Sequence, residues 1–201
     1  MRNLRTAFGL LTTLPVGLPE NWLPGDSGRA GVWYPLVGMV IGGLVWLAWR
    51  VLNLCFPPFM AGALTLLVWV VITGGLHLDG LADCCDGLLS SAMPERRLEI
   101  MKDPHLGAFG GIGLILTLLV KAVALSLLPS SSGWGIILAA VISRWFILPA
   151  SLLPLANPDG MGADFVSGLR RGAIFVTAIL PLGFAFLLGL PGLFAVLAAL
   201  A

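Results

Sequence analysis

Charge is scarce in this chain. Only 10% of its 201 residues are Asp, Glu, Lys or Arg, and eleven basic side chains against ten acidic ones leave a net charge of +1. There is no basic tract, so nucleic acid is not expected as a partner. Cysteine is nearly absent too: Cys55, Cys84 and Cys85 contain no Cys-x-x-Cys spacing. Adjacent cysteines seldom bridge each other, so free thiols are expected and a disulfide framework is not. A long polar segment is also missing. The most extended one, residues 77–107, falls short of the roughly 50 residues at which an independent domain becomes feasible. What remains is apolar: 58% hydrophobic residues and a mean hydropathy of +1.00. Such a composition defines an all-α, polytopic helical membrane protein, read as one membrane-embedded domain over residues 1–201.

Apolar runs of bilayer-spanning length occupy about 33–49, 59–76, 108–128, 134–155 and 173–189, and another opens near 192 and is cut off at Ala201. Five complete transmembrane helices plus a truncated sixth are therefore expected. Of the Lys and Arg residues outside these runs, all but Arg50 fall on one side if the spans alternate. By the positive-inside rule that side is the cytoplasm, which receives the N-terminus, residues 77–107 and residues 156–172. The opening Met1-Arg-Asn-Leu-Arg5 with the apolar stretch behind it imitates a secretory signal, but Pro15 and Pro19 interrupt it. An interfacial or re-entrant element is expected there instead. Gly38, Gly42 and Gly43 have the small-residue spacing that lets helix backbones approach closely.

The acidic residues are concentrated where a span ends. Asp79, Asp83 and Asp86 follow the second apolar run at steps of four and three, which on a helix return to one face. The stripe carries no Lys or Arg to neutralise it. Three such charges repel unless a cation sits among them, and hard oxygen donors favour Mg²⁺ or Mn²⁺ completed by substrate phosphates. A solvated loop helix is the plainer alternative. Zinc at Cys84 and Cys85 is disfavoured, because neighbouring helical positions point in different directions. Gly74 and Gly75 loosen the helix just before the stripe and mark an expected bend. His77 points away from Asp79 on a regular helix and suits either a structural hydrogen bond or a catalytic role.

Beyond the stripe, Arg96-Arg-Leu-Glu-Ile-Met-Lys-Asp-Pro-His-Leu-Gly-Ala-Phe-Gly110 reads as a polar helix stopped by Pro104 and followed by the glycine-rich start of the third span. Lys102 offers a point charge for phosphate, and Asp103 a metal ligand or a base. The N–H groups near Gly107 and Gly110 could receive an anion at a helix start. Two cations lie within spans, Lys121 and Arg144. Burying either costs about 2.5–3.5 kcal/mol on insertion scales, and no acid lies in the complete spans to pair with them. Arg144 suits bidentate contact with phosphate. Lys121 either turns inward or snorkels to the surface.

Together, Gly-Gly-Leu-His-Leu-Asp-Gly-Leu-Ala-Asp-x-x-Asp-Gly at 74–87, the Arg96 to Gly110 segment, Leu14-Pro15, Tyr34-Pro-Leu-Val-Gly38 and Ser143-Arg144 resemble cobalamin synthase, the adenosylcobinamide-GDP ribazoletransferase family. The resemblance implies a transferase of the cytoplasmic (inner) membrane that joins adenosylcobinamide-GDP to α-ribazole or its 5′-phosphate with Mg²⁺ and releases GMP. It implies His77, Asp79, Asp83, Asp86, Lys102 and Asp103 as shared motif residues, and further membrane helix beyond Ala201. It leaves open a homo-oligomer or a complex with other late cobalamin-pathway enzymes. Read without the resemblance, the same residues leave two other classes. In a cation transporter the acids would line an ion path, but they are confined to one end and no internal repeat is visible. The other is a membrane scaffold for corrin enzymes.

Overall fold

The computed structural model describes residues 1–17 and 21–200, so Pro19 and Ala201 lie outside the described residues. Every regular element among the described residues is helical. In chain order these are α1 (Arg2–Leu11), α2 (Asp26–Ala30), α3 (Tyr34–Cys55), α4 (Pro58–Thr73), α5 (Leu76–Leu89), α6 (Pro94–Ile100) and α7 (Ala108–Ser126). They continue with α8 (Trp134–Trp145), α9 (Ile147–Ala150), α10 (Met161–Gly168), α11 (Gly172–Leu187) and α12 (Leu190–Leu200). A 3₁₀ turn over Gly31–Trp33 joins α2 to α3, and another covers Ser130–Ser132.

The chain forms two compact units, one of residues 1–51 with 129–201 and one of residues 52–128. In the first, Val37, Ile41 and Val45 of α3 are fully buried, as are Ala140 and Val141 of α8. Gly38 and Gly42 make that packing possible. A Cβ on Gly38 would stand 2.6 Å from the Ala140 carbonyl oxygen, and one on Gly42 2.6 Å from Ile137 Cα. Gly43, of the same sequence pattern, faces open space. One turn on, Trp46 stacks on Trp134 with ring centroids 5.2 Å apart.

In the second unit α4 crosses α7 at Gly62, where a Cβ would lie 2.7 Å from Ser126 N and 2.8 Å from the Ala122 carbonyl oxygen. Both partners are backbone and cannot swing aside. Gly62→Ala is therefore expected to cost about 1–3 kcal/mol by overpacking. Gly43→Ala should gain up to about 1 kcal/mol, since it removes a helical glycine at no steric cost. Thermal unfolding of the two variants in one detergent checks the opposite signs.

Among the described residues two helices are long and apolar enough to cross a bilayer, Asp26–Cys55 taken through its 3₁₀ turn and Ala108–Ser126. The pairs α4–α5 and α10–α11, each bent by 96°, raise the number to four if each counts as one span. The run expected at 59–76 stops at Thr73 because two glycines end it. The run expected at 134–155 is a shorter apolar helix, Trp134–Ala150. Ile112, Ile115, Leu116 and Leu119 of α7, at the spacing of one helix face, are each more than half exposed. Such a stripe suits lipid and not water, and the protein is a helical membrane protein. α1, with 10 residues, is too short to cross a bilayer.

Candidate active site

The site segment begins with a backbone that only glycine adopts readily. Gly74 and Gly75 have φ of 66° and 71°, the left-handed region in which a Cβ is penalised. Their succession closes α4 and turns α5 by 96°, the bend expected at these two residues. α5 then rests on α7 through a face that includes Ala82 and Cys85. Gly113 makes room for the latter, since a Cβ there would lie 2.4 Å from Cys85 Sγ. On the neighbouring face the acid stripe runs from exposed Asp79 through half-buried Asp83 to half-buried Asp86. His77, in the first turn of α5, is exposed.

Asp86 has a specific partner. Its Oδ2 accepts the Gly107 N–H at 2.8 Å and its Oδ1 the Gly110 N–H at 2.8 Å. Gly107 is the N-cap of α7, so the carboxylate sits on unsatisfied donors at the positive end of that helix dipole. The glycines are needed for this approach: a Cβ at Gly107 would stand 2.2 Å from Asp86 Oδ1, and one at Gly110 2.3 Å from Oδ2. Gly107 and Gly110 thus receive an anion, and among the described residues that anion belongs to Asp86. The contact ties the end of the acid stripe to the start of α7.

Between α6 and α7 the chain makes a short turn. α6 ends at Ile100, ahead of Pro104 as expected, and Gly87 of α5 packs against Met101, to whose Cε a Cβ would come within 2.6 Å. Lys102 and Asp103 are both exposed. Asp103 Oδ1 accepts the His105 backbone N–H at 3.0 Å and pairs with His105 Nδ1 at 2.6 Å. These hydrogen bonds, the backbone one first, hold the Asp103 carboxyl below its ordinary value. A depressed folded pKa means that the turn is fully stabilised above the unfolded value of about 3.9 and loosens as pH falls through the folded one. In a pH titration followed by NMR, the Asp103 carboxyl carbon shift should therefore inflect below the ordinary aspartate value. An inflection at or above it would contradict the contact.

Metal fit can be judged from the donors. Among the described residues no three His, Cys, Asp or Glu side chains are gathered to hold a metal ion, so a closed protein cage is not formed. Mg²⁺, however, commonly uses one or two carboxylates and completes its shell with water and phosphate oxygens. Exposed Asp79 and half-buried Asp83 fit that open arrangement.

In the first unit Arg144 ends α8, half-buried, with Nη1 donating to Ser143 Oγ at 2.8 Å. Ser143 in turn donates to the Ala140 carbonyl at 3.0 Å. No carboxylate pairs with Arg144 among the described residues. Lys121 is exposed on α7.

The first unit also holds a polar cluster that sequence reasoning did not single out. Buried Asp26 is shared by Arg2 and Arg29, each at 2.6 Å, and accepts the Leu23 N–H at 2.9 Å. Asp164 of α10 accepts the Gly25 N–H and the Ser27 hydroxyl. Gly28 seats α2 against α10, because a Cβ there would collide with the Phe165 carbonyl. The contacts of Asp164 with Gly25 and Ser27 span more than a hundred residues and have no local signature in the sequence.

These features define a class: a helical membrane protein whose bent helix presents carboxylates, beside a lysine-bearing turn, at the polar end of an apolar bundle. The chain belongs to the cobalamin-5-phosphate synthase family, whose profile matches residues 3–201. Among its relatives is the adenosylcobinamide-GDP ribazoletransferase of Desulfitobacterium hafniense, 41% identical over 85% of this chain and 69% of the relative. The enzyme of that name from Stutzerimonas stutzeri is 39% identical over 97% of this chain and 80% of its own length. That from Deinococcus radiodurans is 40% identical over 88% and 64%, respectively. No solved structure gives a significant match.

Proposed function

We propose that this chain is an adenosylcobinamide-GDP ribazoletransferase, acting in the late nucleotide-loop assembly of cobalamin biosynthesis. The observation that carries this reading is the 39% identity to a ribazoletransferase over 97% of the chain. In this reading a ribose hydroxyl of α-ribazole, or of its 5′-phosphate, attacks the cobinamide-side phosphorus of the diphosphate. The bridging P–O bond breaks, GMP leaves, and the new phosphodiester joins corrinoid to nucleoside.

Asp79 and Asp83 would hold Mg²⁺, with Asp86 at the end of the same stripe. When bound, the ion neutralises the diphosphate and the charge that develops on the leaving oxygen. Lys102 would bind phosphate oxygens as a point charge, and Arg144, in the other unit, is a separate phosphate-binding candidate through its planar fork. Asp83 or Asp103 accepts the hydroxyl proton, with His77 as the further candidate. Asp86 is anchored by Gly107 and Gly110, which holds the stripe in place for this work.

The finer topology belongs to the same proposal: one membrane domain with five complete spans and the further apolar helix α12, α1 at the interface, and the N-terminus and residues 77–107 and 156–172 in the cytoplasm. The distribution of Lys and Arg supports this orientation. Incubation of purified protein with adenosylcobinamide-GDP, α-ribazole and Mg²⁺ tests the function. Stoichiometric GMP and phosphodiester product are expected, and hydrolysis without joining would defeat the reading.

A further inference from the structure

We infer that the first unit carries a seat for one anionic glycerophospholipid, a binding site separate from the acid stripe. A cavity of about 400 Å³ is lined at its polar end by Asn3, Arg29 and Arg170 and continues over Ala173 to Val32 and Val176. A second, apolar groove of about 320 Å³ shares Val32 and Val176 and extends past Trp33, Leu36 and Leu180. The two form one channel that is basic at its mouth and apolar along its length. Both arginines stand where an apolar helix begins, Arg29 ahead of α3 and Arg170 just ahead of α11, which is the level of a bilayer's headgroups.

The charges at the mouth favour an anion. Arg29 is held in place by the Pro24 carbonyl at 2.9 Å and by Asp26 at 2.6 Å. Asp26 is shared with Arg2, so this one carboxylate faces two guanidinium groups. Asp164 spends its oxygens on the Gly25 N–H and the Ser27 hydroxyl. Arg170, exposed and lining the same cavity, adds a further positive charge, so the guanidinium groups of Arg2, Arg29 and Arg170 outnumber the carboxylates of Asp26 and Asp164. A soluble phosphate would satisfy the mouth but leave the apolar length unused. A phosphodiester headgroup with an acyl chain laid along Val32 and Val176 uses both, and basic pockets between membrane helices bind such lipids. Arg170 belongs to no part of the proposed catalytic machinery.

Native mass spectrometry of the delipidated full chain in detergent, titrated with dioleoyl phosphatidylglycerol, dioleoyl phosphatidylcholine or inorganic phosphate, tests the site. One equivalent of phosphatidylglycerol should bind in preference to phosphatidylcholine, and millimolar inorganic phosphate should not displace it. Arg170→Gln should weaken that binding about fivefold, the usual contribution of one basic residue near an anionic headgroup. Val176→Trp, which fills the channel without changing charge, should weaken it as well. Arg50→Gln, at the opposite end of α3, should leave it unchanged. Equal binding of the two lipids, unaltered binding by both Arg170→Gln and Val176→Trp, or displacement by inorganic phosphate would each overturn the proposal.

Discussion

Asp83→Asn is expected to leave a folded protein that releases GMP on the order of 10³-fold more slowly than the parent. The side chain is half-buried on α5, and amide replaces carboxylate at almost constant volume, so packing gives no reason for instability. The negative charge is lost, and with it a hard ligand able to bring a cation to a diphosphate. Asp86→Asn makes the informative contrast. Its amide NH₂ would confront the N–H of Gly107 or Gly110, where both carboxylate oxygens now accept. A buried donor facing a donor costs about 1–3 kcal/mol. Asp86→Asn should thus lower both thermal stability and turnover, whereas Asp83→Asn lowers turnover alone. Near-normal GMP release by Asp83→Asn would remove the metal-site assignment.

Much of this was legible in the sequence because it follows from local chemistry. Two consecutive glycines ahead of a charged segment predict a break, and Gly74 and Gly75 supply it with paired left-handed residues. Pro104 ends the helix before it. The stripe of Asp79, Asp83 and Asp86 is a matter of helical periodicity, and α5 provides the helix. Gly38 and Gly42 were readable as a contact face, while Gly43 was not separable from them without knowing which way α3 turns.

Tertiary pairings were not legible. Nothing in the spacing shows that Asp86 would cap α7, because the partner groups are backbone N–H donors 21 and 24 residues away. Asp26 and Asp164 escaped notice for the same reason. Each looks like a solvated turn residue until its helix is placed against its neighbour. Hydropathy likewise cannot tell a straight span from one that turns through 96°, since composition averages over the bend.

Arg144→Leu should hold or raise thermal stability while abolishing GMP release, and Arg144→Lys should fold normally and lose activity on the order of 10²-fold. The guanidinium is half-buried at the end of α8, and the one side-chain hydrogen bond seen for it among the described residues runs to Ser143 Oγ. Near a helix end the insertion cost of a half-buried cation falls below the roughly 2.5–3.5 kcal/mol of a helix centre, and a single neutral hydroxyl returns only part of what remains. Leucine removes the desolvation cost, so a purely structural arginine would have little reason to persist there. A substrate phosphate completes the account, because its two oxygens match the planar fork that lysine lacks. The separation between activity and stability is the measurement that decides. If Arg144→Leu loses stability in step with activity, the arginine is a packing element of α8. If it turns over substrate normally, the phosphate role is gone and Lys102 is left as the one proposed cation for the diphosphate.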